Sequence, residues 1–324
     1  MQPASTEPQP WLSLECTFGP PFDGPWGLTL LPDRTLCVVE RGSNGRPPRL
    51  SIVANPTAAN PDEEFALRTI PLPPDVDDVQ GAWCDGCTLF IADLGNNCVH
   101  RLLLPDGKPL APSIGTGDAD GALYCPRALC VMRSEGANPG APAFGPALPD
   151  RLICVADAGN GRVMTYDSES LAPVRAIGKQ AAEPGGSIWV AGELEQPLAV
   201  VAHAGELFVL DGYQHRCSVF CARSGRFARS IGGPGQLSSP FGVLVVRGML
   251  LISEATRLQL FTLDGVHRNT LEVSGAENLS GMCVAEGGEH VYAADFTRGV
   301  AHRFRVGWAD KGDRHGSELK DVDG

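Results

Sequence analysis

The chain has 324 residues, 43% of them apolar, enough to bury a core in one large all-β domain or two smaller ones. A formal charge of −12 repels phosphate backbones and excludes nucleic acid as a default partner. The counts of 39 Gly and 27 Pro predict frequent turns, and 6% aromatics leave most packing to small aliphatic side chains.

In chain order, residues 1–10 (MQPASTEPQP) hold neither a basic nor an apolar run. They are read as disordered, and no secretory signal is expected. WLSLECTFG follows, alternating and ending in Phe18-Gly19. Then one phrase recurs six times. LCVVERGSNGRPPRLSIV carries Glu40, FIADLGNNCVHRLLL Asp93 and CVADAGNGRVMTY Asp157. FVLDGYQHRCSVF carries Asp211, LISEATRLQLF Glu254 and VYAADFTRGVAHRF Asp295. Successive acids stand 41 to 64 residues apart, the period of a propeller or a solenoid.

A second cue precedes each copy. It reads Pro25-Trp26-Gly27, Gln80-Gly81-Ala82, Pro126-Arg127-Ala128, Pro197-Leu198-Ala199, Pro240-Phe241-Gly242 and Leu279-Ser280-Gly281. A third cue follows three copies, a strand ending Ile114-Gly115, Ile177-Gly178 or Ile231-Gly232. Each unit is thus expected to hold four short strands. The innermost opens on small residues where an axis is crowded, the acid ends the second, and hairpins lead to the third and the outer fourth. Residues 307–324 are too polar for an outer strand and are read as a charged, disordered tail. Residues 11–18 are therefore expected to supply the outer strand of the last unit and close a ring.

The recurring acids need no chemistry. An Asp ending a strand accepts hydrogen bonds from the next backbone N–H groups, Gly-Asn supplies turn conformations with positive φ, and an Arg across the turn pairs with the Asp. Asp93, Asn96, Asp157, Asn160, Arg162, Asp211, Arg216 and Asp295 are read as the structural turn of the repeat, and no residue is assigned a catalytic role.

VADAGNGRVMTY with a downstream RAIG, and VLDGYQHRCSVF with RSIGGPG, resemble NHL repeats. The pattern of that family is apolar-Asp-x-x-Asn-x-Arg-apolar, an aromatic, then an Ile-Gly strand end. The third copy fits it well; the fourth has Gln214 for the Asn, and the second has Cys98 where Arg is expected. The fifth is two residues shorter, and the first and sixth are degenerate. The copies cover about 11–306, and the resemblance implies a six-bladed β-propeller of four-stranded antiparallel blades.

In such a ring the residue after each opening proline, or its counterpart, should line the channel mouth: Trp26, Gln80, Arg127, Leu198, Phe241 and Ser280. Arg127 beside Trp26 and Phe241 suits the carboxylate or phosphate of a small anionic ligand or an acidic peptide tail. The plainer alternative pairs Arg127 with a nearby acid and lets the aromatics plug the channel. A non-catalytic binding or scaffold propeller is expected, monomeric and cytoplasmic with organellar import left open. Its partner would be a protein or a small anionic ligand, and no cofactor, metal or membrane is called for.

The alternative is a propeller enzyme, a metal-dependent lyase or lactonase-like hydrolase with its site at the channel. Peptidyl-amidoglycolate lyases place zinc-ligand His at this ring, and none of the six positions is His. The seven His are expected on outer strands or turns. FDGPW, with Asp23, resembles the gluconolactonase-like family. A third reading, single-stranded RNA binding as in animal proteins ending in this propeller, is opposed by the charge. Cys84-Asp85-Gly86-Cys87 reads as a tight turn, and the eleven Cys as reduced small hydrophobes. Insertions at 55–65, 134–150 and 179–193 read as surface excursions, with Trp189 as a docking anchor or a loop staple.

Overall fold

Short apolar runs between turn signals fold here into strands, and among the described residues almost nothing is helical. The structure, a computed structural model, describes residues 10–19, 21–42, 45–54, 67–116, 120–133, 149–182 and 190–308. Strand β1 (Pro10–Phe18) comes first but pairs last. Blade 1 is β2 (Pro25–Leu30), β3 (Leu36–Glu40), β4 (Arg49–Val53) and β5 (Leu67–Pro71). Blade 2 is β6 (Val79–Asp85), β7 (Thr88–Asp93), β8 (Cys98–Leu103) and the short β9 (Lys108–Pro109), its outer edge resumed by a bridge from Val99 to Ile114. Blade 3 is β10 (Pro126–Arg133), β11 (Arg151–Asp157), β12 (Arg162–Asp167) and β13 (Pro173–Ile177). A parallel pair, β14 (Lys179–Gln180) with β15 (Glu193–Leu194), leads on to blade 4. That blade is β16 (Pro197–His203), β17 (Glu206–Asp211), β18 (Arg216–Cys221) and β19 (Phe227–Gly232). Blade 5 is β20 (Gly242–Val246), β21 (Met249–Ser253), β22 (Arg257–Thr262) and β23 (His267–Glu272). Blade 6 is β24 (Leu279–Val284), β25 (His290–Asp295), β26 (Val300–Trp308) and, outermost, β1. These six four-stranded antiparallel sheets form a β-propeller.

The second strand of each blade is an unbroken apolar run because both sheet faces are covered by neighbouring blades. In β7, Leu89 and Ile91 pack with Val39 and Leu50 of blade 1. Phe90 and Ala92, on the opposite face, pack with Ile153 and Val155 of blade 3. The core is thus the set of seams between blades, and each fully buried Leu or Ile there stabilises by about 1.5–3 kcal/mol.

Closure follows the same logic. β1 pairs antiparallel with β26 from Pro10 opposite Trp308 to Phe18 opposite Ala301. Leu12 packs with Leu244 and Leu258 of blade 5, while Phe18 packs with Leu36 and Val38 of blade 1. The two strands begin one residue before and end two residues beyond the span read from the sequence. The rest of the two expected disordered ends, 1–9 and 309–324, lies outside the described residues. So do nearly all of the insertions 55–65 and 134–150, and Trp189; the ends of 179–193 supply β14 and β15. No helix among the described residues is long and apolar enough to cross a membrane.

Candidate functional site at the channel mouth

Each blade's recurring acid clamps the segment that leads into its own innermost strand. Asp93 accepts from the backbone N–H groups of Asp77 and Asp78 at 3.0 and 3.3 Å. Asp157 accepts from Tyr124, and Asp211 from Glu195 and Gln196. Asp295 accepts from Glu277 and Asn278, Glu40 from Asp23 and Glu254 from Ser238. The expected bonds to following residues are also present at Asn96 and Arg298. The longer-range clamp was missed, because nothing local in the sequence signals a partner 15 to 33 residues upstream. Asn160 Nδ2 and Arg162 Nε donate to Asp157 at 2.9 and 2.8 Å, while Arg216 stands 3.6 Å from Asp211.

Held this way, the innermost strands converge on the axis through small residues. A Cβ on Gly27 would lie 2.5 Å from the Gln80 carbonyl oxygen, one on Gly81 2.7 Å from the Ala128 Cα, and one on Gly242 2.5 Å from the Ser280 carbonyl oxygen. A Cβ on Gly281 would overlap the Trp26 carbonyl. The axis encloses a channel cavity of about 360 Å³ lined by the innermost strands of all six blades. Its wall is mainly apolar, with Leu28, Trp83, Val200 and Leu244 along its length.

The mouth residues read from the sequence divide into two sets. Trp26, Arg127, Leu198 and Phe241 line the cavity. Gln80 and Ser280 do not: both are buried, and Gly81 and Gly281 take their places on the wall. Gln80 Nε2 donates to Asp78 Oδ1 at 2.9 Å, and the Ser280 hydroxyl faces the Trp26 carbonyl at 3.3 Å. These two blades lack the opening proline, and the side chains at this position turn into the seams. The histidine expectation also needs correcting. His203 ends an innermost strand and lines the cavity, because the β16–β17 hairpin turns immediately after it.

Three mouth residues had not been singled out: Arg41, Asp78 and Phe296. Arg41 and Phe296 each directly follow a recurring acid, the positional signal that could have found them. Arg41 pairs with Asp78 at 2.6 Å and lies over the rings of Trp26 and Phe296, 5.6 and 5.7 Å from their centroids. Trp26 meets Phe296 and Phe241 edge-on at 5.1 and 6.3 Å. Among the described residues, Arg127 reaches only Gln80 Oε1, at 3.4 Å. Its Nε is buried with no hydrogen-bond partner among the described residues. Burial lowers the Arg127 pKa; Asp78 opposes that shift and Arg41 adds to it. Among the described residues no acid pairs with Arg127, as the plainer expectation had it, and Asp78 is engaged by Arg41 and Gln80.

Elsewhere, Asp85 and Thr88 pair across a tight turn with Gly86 at φ 58°, so the Cys84-to-Cys87 stretch is a hairpin. In blade 2, His100 Nε2 stands 2.9 Å from Asp93 Oδ2. Burial resists charging His100, but its bonds to Asp93 and Cys98 outweigh that and raise its pKa to about 10.

No family model matches the chain, and no curated protein sequence matches it. Solved structures do. A chain from the crystal structure of a nidogen/laminin complex superposes with a TM-score of 0.57 at 15% identity, covering 79% of this chain and 83% of that one. A chain of hydrazine synthase from Kuenenia stuttgartiensis superposes with a TM-score of 0.54 at 14% identity, covering 86% and 75%. At these identities the likeness concerns the fold alone: the protein is a six-bladed β-propeller.

Proposed function

We propose that the protein is a non-catalytic binding propeller that seats a carboxylate of its partner, a small ligand or an acidic peptide tail, on Arg127 at the channel mouth. The unpartnered, buried Nε of Arg127 carries this reading. A desolvated guanidinium with spare donors gains strongly from a carboxylate, because charge-assisted hydrogen bonds strengthen away from water. Trp26 and Phe241 supply apolar contact beside it, and Tyr124 and Tyr213, 55% and 63% exposed, offer the aromatic surface that interfaces favour. A structural neighbour that comes from a protein complex is in keeping with a protein partner. The NHL-like reading of the repeats is supported by the Asp157–Asn160–Arg162 turn.

The test is a binding screen of short acidic peptides with free or amidated C-termini, together with small aromatic and aliphatic carboxylates. Arg127→Gln is expected to weaken the best binder about tenfold or more, the worth of one or two charge-assisted hydrogen bonds. Changing Trp26, Arg127 and Phe241 together should abolish binding. A folded triple variant that binds the same ligands equally well would place the binding surface elsewhere.

A further inference from the structure

We propose that Asp93, Cys98 and His100 form a zinc site in blade 2, in which a divalent ion does for this blade what arginine does for its neighbours. Across the hairpin from the recurring acid, Glu40 faces Arg49, Asp157 faces Arg162 and Asp211 faces Arg216. In blade 5, Arg257 Nε donates to Glu254. In blade 2 the residue facing Asp93 is Cys98. Two residues on, and hence on the same face of β8, stands His100. The blade has replaced a guanidinium with a thiol and an imidazole, the donors that suit a borderline-soft divalent ion.

The geometry is close to what such an ion needs. His100 Nε2 is 2.9 Å from Asp93 Oδ2 and 3.5 Å from Cys98 Sγ, and all three donors lie within 4.8 Å of one another. Tetrahedral zinc, with bonds of about 2.0–2.3 Å, separates its ligand atoms by roughly 3.3–3.6 Å, so small side-chain rotations suffice. The supporting shell is present. Asp93 is fixed by the N–H groups of Asp77, Asp78 and Asn96 and by Asn96 Nδ2 at 2.8 Å. Ser113 Oγ, 3.2 Å from His100 Nδ1, fixes the far side of the ring and leaves Nε2 to face the ion. Asp93 and Cys98 are buried, whereas the His100 side chain is 12% exposed. That edge gives the ion a way in and leaves a fourth position for water. Blade 6 is an internal contrast: Asp295 and His302 occupy the matching places, but Val300 replaces the thiol and the nearest approach is 3.6 Å.

Binding is an exchange of metal for protons without redox change. Zn²⁺ bonds to Sγ, Nε2 and Oδ2, and the protons of the Cys98 thiol and the His100 Nε2 leave to solvent.

The test uses the metal alone. Chelator-treated full-length protein is titrated with Co²⁺ and followed by its visible bands and its thiolate-to-cobalt charge-transfer band. One equivalent is expected to bind and to be displaced by Zn²⁺, and Zn²⁺ should raise the melting temperature. Cys98→Ser should weaken binding at least tenfold. A Cys98→Arg, His100→Met double variant rebuilds the Arg162 and Met164 arrangement of blade 3; it should fold, lose the cobalt spectrum and melt independently of zinc. X-ray absorption of the zinc-loaded native protein should show one sulfur at about 2.3 Å, a readout that needs no variant. Native protein that binds no cobalt, a charge-transfer band that survives in Cys98→Ser, or a zinc shell without sulfur would each overturn the proposal.

Discussion

A single kind of interaction organises the molecule at the residue scale. A buried carboxylate at the end of each second strand, or one residue beyond it in blade 5, closes the path into the innermost strand. Its partner on the third strand varies: Arg49, His100, Arg162, Arg216, Arg257 or His302. His302 is the case with a consequence for pH. It is fully buried, its Nδ1 meets Thr17 Oγ1 of β1 at 2.8 Å, and Asp295 and Arg298 are the charged groups acting on it. Burial lowers its pKa, with Asp295 opposing and Arg298 reinforcing that shift. The unfolded chain therefore takes up this proton first as pH falls below about 6.5. Stability from the neutral ring is full above that value and is lost as pH falls further. Melting temperatures measured between pH 7.5 and 5.5 should drop more steeply for the native protein than for His302→Gln. Equal slopes would show that some other group controls the loss.

At the element scale, the decisive fact is that innermost strands meet backbone to backbone. Five of them carry a register shift against the second strand near their start, as between Pro25 and Gly27 and between Pro126 and Leu129. A bulge re-aims side chains, so the strict in-out alternation of a regular strand does not hold across it. Trp26 and Arg127 point into the mouth, while Gln80 and Ser280, at the same offset, are buried. Gly27 has no room for a side chain, because the clashing atom is a carbonyl oxygen of the neighbouring blade. Gly27→Ala should destabilise by about 1–3 kcal/mol, the usual range for overpacking, measured by urea unfolding. A change within about 0.5 kcal/mol would mean that the ring can expand at its axis.

At the scale of the whole molecule, stability depends on joining the two ends of the chain. Without β1, the edge of β26 is exposed and the seams on both sides of blade 6 lose Leu12 and Phe18. Each loss is worth about 1.5–3 kcal/mol, before the strand's hydrogen bonds are counted. A chain lacking residues 1–19 should melt at a markedly lower temperature, with a broader transition, and form oligomers through the bare edge. Calorimetry and size-exclusion chromatography check this. A truncated chain that stays monomeric with an unchanged melting temperature would show that the other strands suffice for closure.

Six recurring acids, the small residues opening each innermost strand and an alternating segment near the N-terminus were enough to specify a closed ring of six blades. Those signals are local and periodic, and every unit repeats the same backbone problem and its solution. They also placed Trp26, Arg127 and Phe241 together at one end of an axis. Which side chains there would be spent on one another was decided only in three dimensions. Arg41 reaches Asp78 from a neighbouring blade, Gln80 turns into a seam, and Arg127 keeps an unpaired nitrogen. The Arg41–Asp78 and Arg127–Gln80 contacts join residues 37 and 47 positions apart, with no sequence period to announce them. The same holds for the thiol and imidazole beside Asp93: the sequence showed only a missing arginine at Cys98, and the strand pairing turned that gap into a set of three donors.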